Sequence, residues 1–395
     1  MSMKLLALKT STAILFTLAG MLSVEAQDAN RINVVTSAVP FLRISPDARA
    51  GGMGDVGIAT SPDANAAFWN LAKTPFAQSR TAISATYTPW LKDLGLNDVY
   101  LASLAGYYQL DEEQAVSSSI RYFSLGNIQF TDFAGNDLQS FRPREFSFDL
   151  GYSRKLSERL GLGVALRYIN SNLAGGQAVN GVSYKAGNAV SGDISLFYNG
   201  VNATGAGWNY GAVLSNLGSK IAYTSDATQK DYIPANLGIG AAYTWVFDEM
   251  NSLTLGADIN KLLVPTPPAL GDSAGLVDYR NKSVINSWFS SFGDAGSFGE
   301  ELKEFQVSTG AEYNYNQQFM FRAGYFYEDK LKGNRKYFTL GAGLKYSVFG
   351  LNFSYLVPSG AGVNRNPLSN TLRFSLVFDL DPATNGSATT GAATK

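Results

Sequence analysis

The chain has 395 residues, including 40 glycines, 24 phenylalanines and 21 tyrosines, and it contains no cysteine and no histidine. The absence of both residue types excludes disulfides, zinc fingers, cysteine nucleophiles and Ser-His-Asp triads. Charged residues make up only 16% of the chain and the formal net charge is −1, so the composition favours a membrane or all-β protein and offers no basic surface for nucleic acid.

The first 26 residues have the features of a secretory signal peptide. Lys4 and Lys9 precede an apolar stretch from Ala13 to Leu22, and Val24-Glu25-Ala26 supplies the small residues that a signal peptidase recognises. The apolar stretch is well short of the roughly 20 residues that a membrane-spanning helix needs. We therefore predict cleavage after Ala26 and export of the mature chain.

Residues 27–80 form a segment between the signal peptide and the first predicted strand. Ser61 followed by Pro62 is typical of a helix N-terminus and predicts a short helix over the residues that follow. Residues 52–57 have the Gly-x-Gly-x-x-Gly spacing of a dinucleotide-binding loop, but Pro46 and three charges precede them where that fold needs a buried strand. We therefore predict no bound cofactor, and a glycine-rich backbone that packs closely.

From residue 81 onward, apolar residues alternate with small or polar ones. Leu160, Leu162 and Val164, for example, alternate with Gly161 and Gly163. Such strands suit a barrel wall with one face toward lipid and the other toward the interior. No apolar run after residue 26 reaches the length of a membrane helix, so a membrane location requires a barrel. The pattern predicts fourteen strands, at 81–90, 98–110, 113–124, 145–155, 159–170, 190–199, 207–215, 234–247, 250–260, 304–315, 318–328, 336–346, 348–358 and 369–380.

Alternation alone also fits a soluble β-sandwich, or a barrel of twelve or sixteen strands. Nine charged residues favour a barrel, because they alternate with apolar neighbours and would fall in the core of a sandwich. We therefore predict an all-β membrane protein, a fourteen-stranded antiparallel outer-membrane β-barrel over residues 81–380. Because a barrel of this size is too wide for its own side chains to fill, we expect residues 27–80 to plug the lumen. The charges expected to line that lumen are Arg121, Asp149, Arg167, Asp193, Asp258, Glu312, Arg322, Lys345 and Arg373.

Short and long connections alternate between the predicted strands, apart from brief links at 91–97, 329–335 and 359–368. Asp111-Glu112, Asp248-Glu249 and Asn316-Gln317 are among the short turns, and outer-membrane barrels have short periplasmic turns and longer extracellular loops. We therefore predict that the long loops are extracellular and that both termini are periplasmic. Residues 381–395 contain few apolar side chains and are predicted to form a disordered tail. The long connections are 125–144, 171–189, 216–233 and 261–303.

The longest connection, 261–303, is a candidate partner-binding loop. Loops of this length are usually functional or disordered. Apolar residues at helical spacing predict a short amphipathic helix over 281–292. An outward apolar patch there would suit a protein partner, and a loop folded over the barrel mouth is the alternative. The residues that carry the prediction are Trp288, Phe289 and Phe292.

Residues 41–70 contain three characteristic stretches, which are Arg49-Ala50-Gly51-Gly52-Met53-Gly54-Asp55, Ser61-Pro62-Asp63-Ala64-Asn65 and Phe68-Trp69-Asn70. They resemble the start of the PorV family of outer-membrane proteins of the type IX secretion system, and the resemblance extends over nearly the whole mature chain. The glycines and the last stretch also resemble the wider FadL-like superfamily, whose members are fourteen-stranded barrels with an N-terminal plug. The residues singled out as a plug motif are Arg49, Gly51, Gly52, Met53, Gly54, Asp55, Asn65, Trp69 and Asn70.

The resemblance to the PorV family implies a non-enzymatic protein without cofactor, metal or catalytic residues. It implies docking on the large barrel of the type IX translocon, binding of the folded C-terminal signal domain of secreted cargo, and delivery to a sortase-like surface attachment complex. The expected partners are these proteins and outer-membrane lipid, and not nucleic acid. The alternative is a FadL-like channel for long-chain fatty acids or other hydrophobic small molecules, with inward Phe123, Phe197 and Phe326 as candidate lining.

Overall fold

The computed structural model describes residues 34–382, except 93–94, 132–134, 177, 180–181, 227–228, 269–270 and 359–369. The predicted signal peptide with its cleavage site, and residues 383–395 of the predicted tail, lie outside the described residues. Within the described part of the chain, no helix is both long and apolar enough to span a membrane.

Fourteen antiparallel strands close into a barrel, which confirms the predicted fold class. Each predicted strand has a counterpart, and the first barrel strand pairs with the last, with Ile83 opposite Phe378. The last strand extends to Pro382, because Ser79 at the start of the first strand pairs with Pro382. The prediction that the tail begins at Asp381 is therefore wrong. The barrel strands are β1 (Ser79–Pro89), β2 (Val99–Gln109), β3 (Gln114–Leu125), β6 (Arg144–Lys155), β7 (Leu160–Asn172), β10 (Gly187–Val201), β11 (Gly207–Gly218), β12 (Asn236–Val246), β13 (Asn251–Leu262), β14 (Phe305–Tyr315), β15 (Phe319–Tyr327), β16 (Lys336–Tyr346), β17 (Phe349–Pro358) and β18 (Leu372–Pro382).

The short and the long connections between strands lie at opposite ends of the barrel. Short turns at 110–113, 156–159, 202–206, 247–250, 316–318 and 347–348 lie at one end, here called the short-turn end. The remaining connections lie at the other, here called the long-loop end, and the longest is 263–304. Two hairpins that the sequence analysis missed lie in long connections, β4 (Ile128–Thr131) with β5 (Asp137–Phe141), and β8 (Ala178–Val179) with β9 (Val182–Ser183).

The outer face of the wall is apolar and exposed, as a lipid-facing surface requires. Leu104, Leu150 and Leu166, on three different strands, expose 50%, 56% and 70% of their surface. Aromatic residues flank this band on both sides, as in the girdles of membrane barrels. Tyr87, Tyr100 and Tyr122 pack in sequence at the long-loop end, and Trp208, Tyr243 and Trp245 do so at the short-turn end.

Residues 34–78, here called the N-terminal segment, contain two α-helical turns and two 3-10 turns. Helix α1 (Ala48–Gly52) begins after Asp47, whose Oδ1 accepts a hydrogen bond from the Ala50 backbone N–H at 2.8 Å. Helix α2 (Ala66–Trp69) begins after Asn65, so the prediction of a helix capped by Ser61 is wrong. Ser61 lies four residues before the cap position, and its backbone carbonyl and hydroxyl accept hydrogen bonds from Arg49 instead. The 3-10 turns are Pro40–Arg43 and Leu71–Phe76.

The connection 263–304, here called the long loop, contains three short helices that begin at capping side chains. They are α3 (Ser273–Asn281), α4 (Val284–Ser290) and α5 (Phe298–Leu302). The helix predicted over 281–292 corresponds to α4 and is shorter at both ends. Ser283 starts it by accepting a hydrogen bond from the Asn286 N–H, and Phe292 follows its end.

An apolar core lies inside the barrel near the long-loop end. Val39, Phe41 and Leu42 of the N-terminal segment pack there among wall residues such as Leu101 and Phe123. Two residues of the connection 219–235, Ile221 and Ile233, complete this core. The N-terminal segment is therefore held at this end by burial of apolar surface.

Candidate functional site

The glycines of the plug motif lie directly against the barrel wall. The Cα of Gly341 in β16 is so near Gly52 that a Cβ on Gly52 would lie 3.0 Å from it. Gly54 has a φ of 70°, and a Cβ there would lie 2.6 Å from the Tyr325 backbone nitrogen. Met53 between them is fully buried, and Gly51 leaves room for the guanidinium group of Arg373. This contact between two backbones requires glycine on both sides.

Arg49 joins the N-terminal segment to the wall through charges. Its guanidinium contacts Asp63 of the same segment at 2.8 Å and Glu312 of β14 at 2.8 Å. Arg322 of β15 binds the same Glu312 carboxylate at 2.6 Å, and its Nη1 donates to the Asn352 side chain at 2.9 Å. The buried Glu312 carboxylate is thus paired with two arginines, one from the N-terminal segment and one from the wall.

The polar residues of the plug motif each form hydrogen bonds with neighbouring residues, and these bonds hold the backbone of the N-terminal segment in place. Asp55 accepts a hydrogen bond from the Tyr337 hydroxyl at 2.6 Å. The indole of Trp69 donates to Asp47 at 2.6 Å, and the Asn65 side chain donates to Ser84 at 3.3 Å. Asn70 donates to the Ile58 and Leu196 carbonyl oxygens, at 3.0 and 2.9 Å.

Four of the predicted lumen charges alternate in sign across four neighbouring strands. Arg121, Asp149, Arg167 and Asp193 lie on β3, β6, β7 and β10, and all four are buried. Asp149 binds Arg167 directly and lies 3.6 Å from Arg121, whereas Arg167 lies 2.8 Å from Asp193. Because each charge has an opposite neighbour, the row is stabilised inside the barrel despite its burial.

The other lumen charges lie nearer the N-terminal segment or the barrel end. Asp258 accepts hydrogen bonds from the Gly57 and Ile58 backbone N–H groups, at 2.7 and 2.9 Å. Arg373 lies 3.8 Å from Asp55. Lys345 is half-exposed and pairs with Asp379 at 2.5 Å.

The three phenylalanines considered as a channel lining are covered by other aromatic rings. Phe41 stacks on Phe123 and Phe76 packs on Phe197, with ring centroids 6.5 and 5.7 Å apart. Phe326 stacks on a tyrosine of the neighbouring strand at 4.9 Å. Two of the three are therefore covered by the N-terminal segment itself.

The long loop is fixed to the barrel rim by buried ion pairs. Lys261 at the end of β13 contacts Glu301 and Glu304, at 3.3 and 2.5 Å. Lys332 contacts Glu304 at 2.9 Å from the connection after β15. Burial by itself would raise the pKa of Glu304, but hydrogen bonds from Lys261 and Lys332 lower that pKa below its usual value. Burial raises the pKa of the nearby carboxyl of Asp294.

A neighbouring connection, 219–235, holds the other side of the long loop. The ammonium group of Lys220 donates to the carbonyl oxygens of Arg280 and Lys282, at 2.7 and 2.8 Å. The Tyr232 hydroxyl donates to the carbonyl oxygens of Tyr279 and Lys282, at 3.0 and 2.8 Å. These bonds satisfy carbonyl groups at the end of α3, where the helix leaves them unpaired.

The candidate partner-binding residues differ in exposure. Phe289 is 76% exposed and Phe292 47%, whereas Trp288 is half-buried. The ring of Phe292 lies 5.6 Å from the Lys261 ammonium group, so it also covers an anchoring ion pair. The large apolar side chains that the described part of the loop exposes are Leu276, Val277, Ile285, Phe289, Phe292, Phe298 and Leu302.

Several residues that organise these contacts were not predicted from the sequence. Lys73 is fully buried and donates to the Gly57 carbonyl at 2.7 Å. Thr339 of β16 accepts from the Gly54 N–H at 2.8 Å and donates to the Gly52 carbonyl at 3.0 Å. Thr339 could have been predicted to face the interior, because it alternates with apolar residues as the lumen charges do. Lys73 could not, because a single lysine in an irregular segment belongs to no periodic pattern.

A closed barrel with a lipid-facing band and aromatic girdles defines an outer-membrane β-barrel protein. Residues 26–269 match the model of the family described as "Type IX secretion system protein PorV". The match covers more than half of the chain, which therefore belongs to the PorV family and is an outer-membrane component of the type IX secretion system. No curated protein is significantly similar in sequence.

Solved structures with similar folds include two toluene transporters and a FadL homologue. The Ralstonia pickettii toluene transporter TbuX has 12% sequence identity and a TM-score of 0.51, over 85% of this chain and 98% of that one. The Pseudomonas putida toluene transporter TodX has 12% identity and a TM-score of 0.47, over 88% and 98%. A Pseudomonas aeruginosa FadL homologue has 12% identity and a TM-score of 0.47, over 85% and 98%. The similarity to TbuX supports the fold assignment and, at 12% identity, extends no further than the fold.

Proposed function

We propose that this protein docks on the type IX translocon, binds the C-terminal signal domain of exported cargo and shuttles it to the surface attachment complex. Its membership of the PorV family supports the secretion context. The observation that carries the rest is the N-terminal segment, whose Arg49, Gly52 and Gly54 contact the wall inside the barrel. A barrel filled in this way suits a protein that works through its outer surfaces.

The segment acts in this proposal as a permanent plug. It joins separate parts of the wall, because Arg49 binds Glu312 of β14 whereas Asn70 binds the Leu196 carbonyl of β10, four strands further round the barrel. Opening the lumen would separate the buried pair of Arg49 and Glu312, which is costly because each of these buried charges would lose one of its two partners. The same plug covers Phe123 and Phe197, which the alternative function as a hydrophobic channel would need free.

The long loop is the proposed surface for a protein partner. It combines a fixed base, held by Lys261 and Lys220, with exposed phenylalanines at 289 and 298. Rigid scaffolds that present exposed apolar side chains bind partners with little loss of conformational entropy. We further infer that the long-loop end is extracellular, that both termini are periplasmic and that the signal peptide is cleaved after Ala26.

Isolation from native membranes in a mild detergent, followed by mass spectrometry, tests this proposal. We expect a very large translocon barrel and a set of proteins that share a C-terminal domain. Bound fatty acid without protein partners would instead favour the hydrophobic channel and overturn the secretion role.

A triple variant tests the long loop within the same experiment. Trp288→Ser, Phe289→Ser and Phe292→Ser together should abolish recovery of the cargo domain while the barrel still folds. The matched control replaces three exposed apolar residues of other long connections, Ile128, Leu173 and Val182, with Ser. Equal recovery of cargo by both triple variants would contradict the assignment of the long loop.

A further inference from the structure

A cavity of about 60 Å³ lies between the N-terminal segment and the wall. Its lining includes Asn216, Asn236 and Tyr337, which lie near the strand ends that lead into the long connections. A single water needs roughly 10–15 Å³ of such space, so several waters, or an ion with waters, would fit. The charged side chains that line it are Arg43, Arg121, Arg167, Arg335, Asp55 and Asp193.

Arg121 presents hydrogen-bond donors that no atom in the described part of the chain accepts. Its side chain is 1% exposed, and both Nε and Nη2 lack a hydrogen-bond partner there. Nη1 donates to the Leu42 carbonyl at 3.2 Å, and Nη2 lies 3.6 Å from Asp149, beyond a hydrogen bond. Leaving these N–H groups unused is costly for a buried cation, and an acceptor in the cavity that Arg121 lines would remove this cost.

The charges around the cavity leave a positive excess. Arg167 pairs with Asp149 and Asp193, Arg335 pairs with Glu328, and Arg373 lies 3.8 Å from Asp55. Arg43 has only a neutral acceptor among its described contacts, the side-chain carbonyl of Gln306 at 3.1 Å. With Arg121, this set holds five guanidinium groups and four carboxylates, an excess of one positive charge.

We propose that this cavity binds one monovalent inorganic anion of about the size of chloride. The single excess charge matches a single negative charge, and the unused N–H groups of Arg121 supply directional donors. A water beside the anion would donate to Oδ1 of Asn236, which also lacks a partner among the described residues. Because Arg43 belongs to the N-terminal segment and Arg121 to the wall, the anion would bind the two parts together. This role is independent of which partner or solute the protein handles.

Diffraction from crystals of the mature protein soaked in sodium bromide tests the proposal. Bromide scatters anomalously, so a bound ion gives an anomalous peak. We expect a peak within the cavity, near the Arg121 guanidinium group. A cavity that contains only waters, with no anomalous peak, would overturn the proposal.

Heat unfolding in detergent provides a second measurement on the same protein. Sodium chloride should raise the unfolding midpoint by about 2–5 °C relative to sodium gluconate at equal ionic strength, because gluconate is too large to enter. Arg43→Gln and Arg121→Gln should each abolish this difference and the bromide peak. Arg154→Gln, which removes an exposed arginine, should keep both. Equal midpoints for the wild-type protein in the two salts would count against the site, and the bromide test still decides if Arg121→Gln fails to fold.

Discussion

Arg49 shows how a single side chain joins the two parts of this molecule. It shares the Glu312 carboxylate with Arg322 and also contacts Asp63. Replacing Arg49 by Ala would leave Asp63 without its arginine and Glu312 with one cation in place of two. Removing one partner of a buried ion pair typically costs about 3–5 kcal/mol. We expect Arg49→Ala to lower the free energy of unfolding by about that amount, measured by denaturant unfolding in detergent.

Arg154→Ala is the matched control for that variant. Arg154 pairs with Glu113 at 3.4 Å, but both side chains are more than half exposed. Exposed pairs contribute about 0–1 kcal/mol, so this control should unfold almost as the wild type does. Equal losses in the two variants would mean that Arg49 does not anchor the N-terminal segment.

The wall glycines allow a second test, because they set how near the backbone of the plug motif can lie. A Cβ on Gly324 of β15 would lie 2.1 Å from the Gly54 nitrogen, so Gly324→Ala must displace the N-terminal segment or the strand. We expect a loss of about 1–3 kcal/mol in unfolding free energy, as in other overpacked cores. Gly350→Ala is the control, since its nearest atom would lie at 3.5 Å. If both variants had wild-type stability, the close backbone contact would be wrong.

Among the elements, the long loop is attached to the barrel rim through buried ion pairs. The pKa of Glu304 is lowered by Lys261 and Lys332, so its ion pairs stabilise the loop above the unfolded value of 4.5. As pH falls from that value toward the lowered pKa, the detached loop takes up the proton first, so the stabilisation is lost progressively until the carboxyl of the folded loop is protonated as well. We expect proteolysis within the loop, by an acid-active protease, to accelerate as pH falls below 4.5.

Glu304→Gln isolates this contribution from the other acidic groups, Glu301 and Asp294. The variant should be cut faster at neutral pH, because it lacks the two ion pairs, and its cutting rate should change less with pH. Burial raises the pKa of Asp294, so protonation of Asp294 as pH falls favours the folded loop. This effect opposes that of Glu304 and is the same in the variant and the wild type. An identical pH profile for variant and wild type would show that Glu304 does not hold the loop.

The elements also differ in how well they could be predicted from the sequence. Every barrel strand was predicted, because a wall with lipid on one side and a polar interior on the other imposes a period of two over its whole length. Hairpins such as Val182–Ser183 with its partner strand are too short to show a period. The start of α2 after Asn65 was missed, because Ser61, the expected cap, instead accepts a hydrogen bond from Arg49, a contact that no local sequence pattern indicates.

The candidate site was predictable only in part for the same reason. The inward charges appear in the alternation, so Arg121 and Glu312 could be placed on the interior face from sequence. Which of them meets the N-terminal segment depends on the barrel register and on the path of that segment. The pairing of Arg49 with Glu312, 263 positions apart, has no local signal.

At the scale of the whole molecule, two different environments meet the two faces of one wall. Lipid takes the outer face, where residues such as Leu166 and Phe338 are exposed. The interior contains charges that balance one another and the N-terminal segment, whose backbone lies against the wall. In the proposed function, partners meet the protein at the two ends of the barrel, where the long loops and the short turns lie.

Labelling of single cysteines determines which end faces outside, and the natural chain has no cysteine to interfere. Phe298→Cys places a thiol on the long loop, and Leu156→Cys places one in a short turn, at positions that are 79% and 56% exposed. We expect a membrane-impermeant maleimide to label Phe298→Cys on intact cells, and Leu156→Cys only after the outer membrane is permeabilised. Both variants should be labelled equally once purified in detergent. Labelling of Leu156→Cys alone on intact cells would reverse the orientation and place the proposed partner-binding loop in the periplasm.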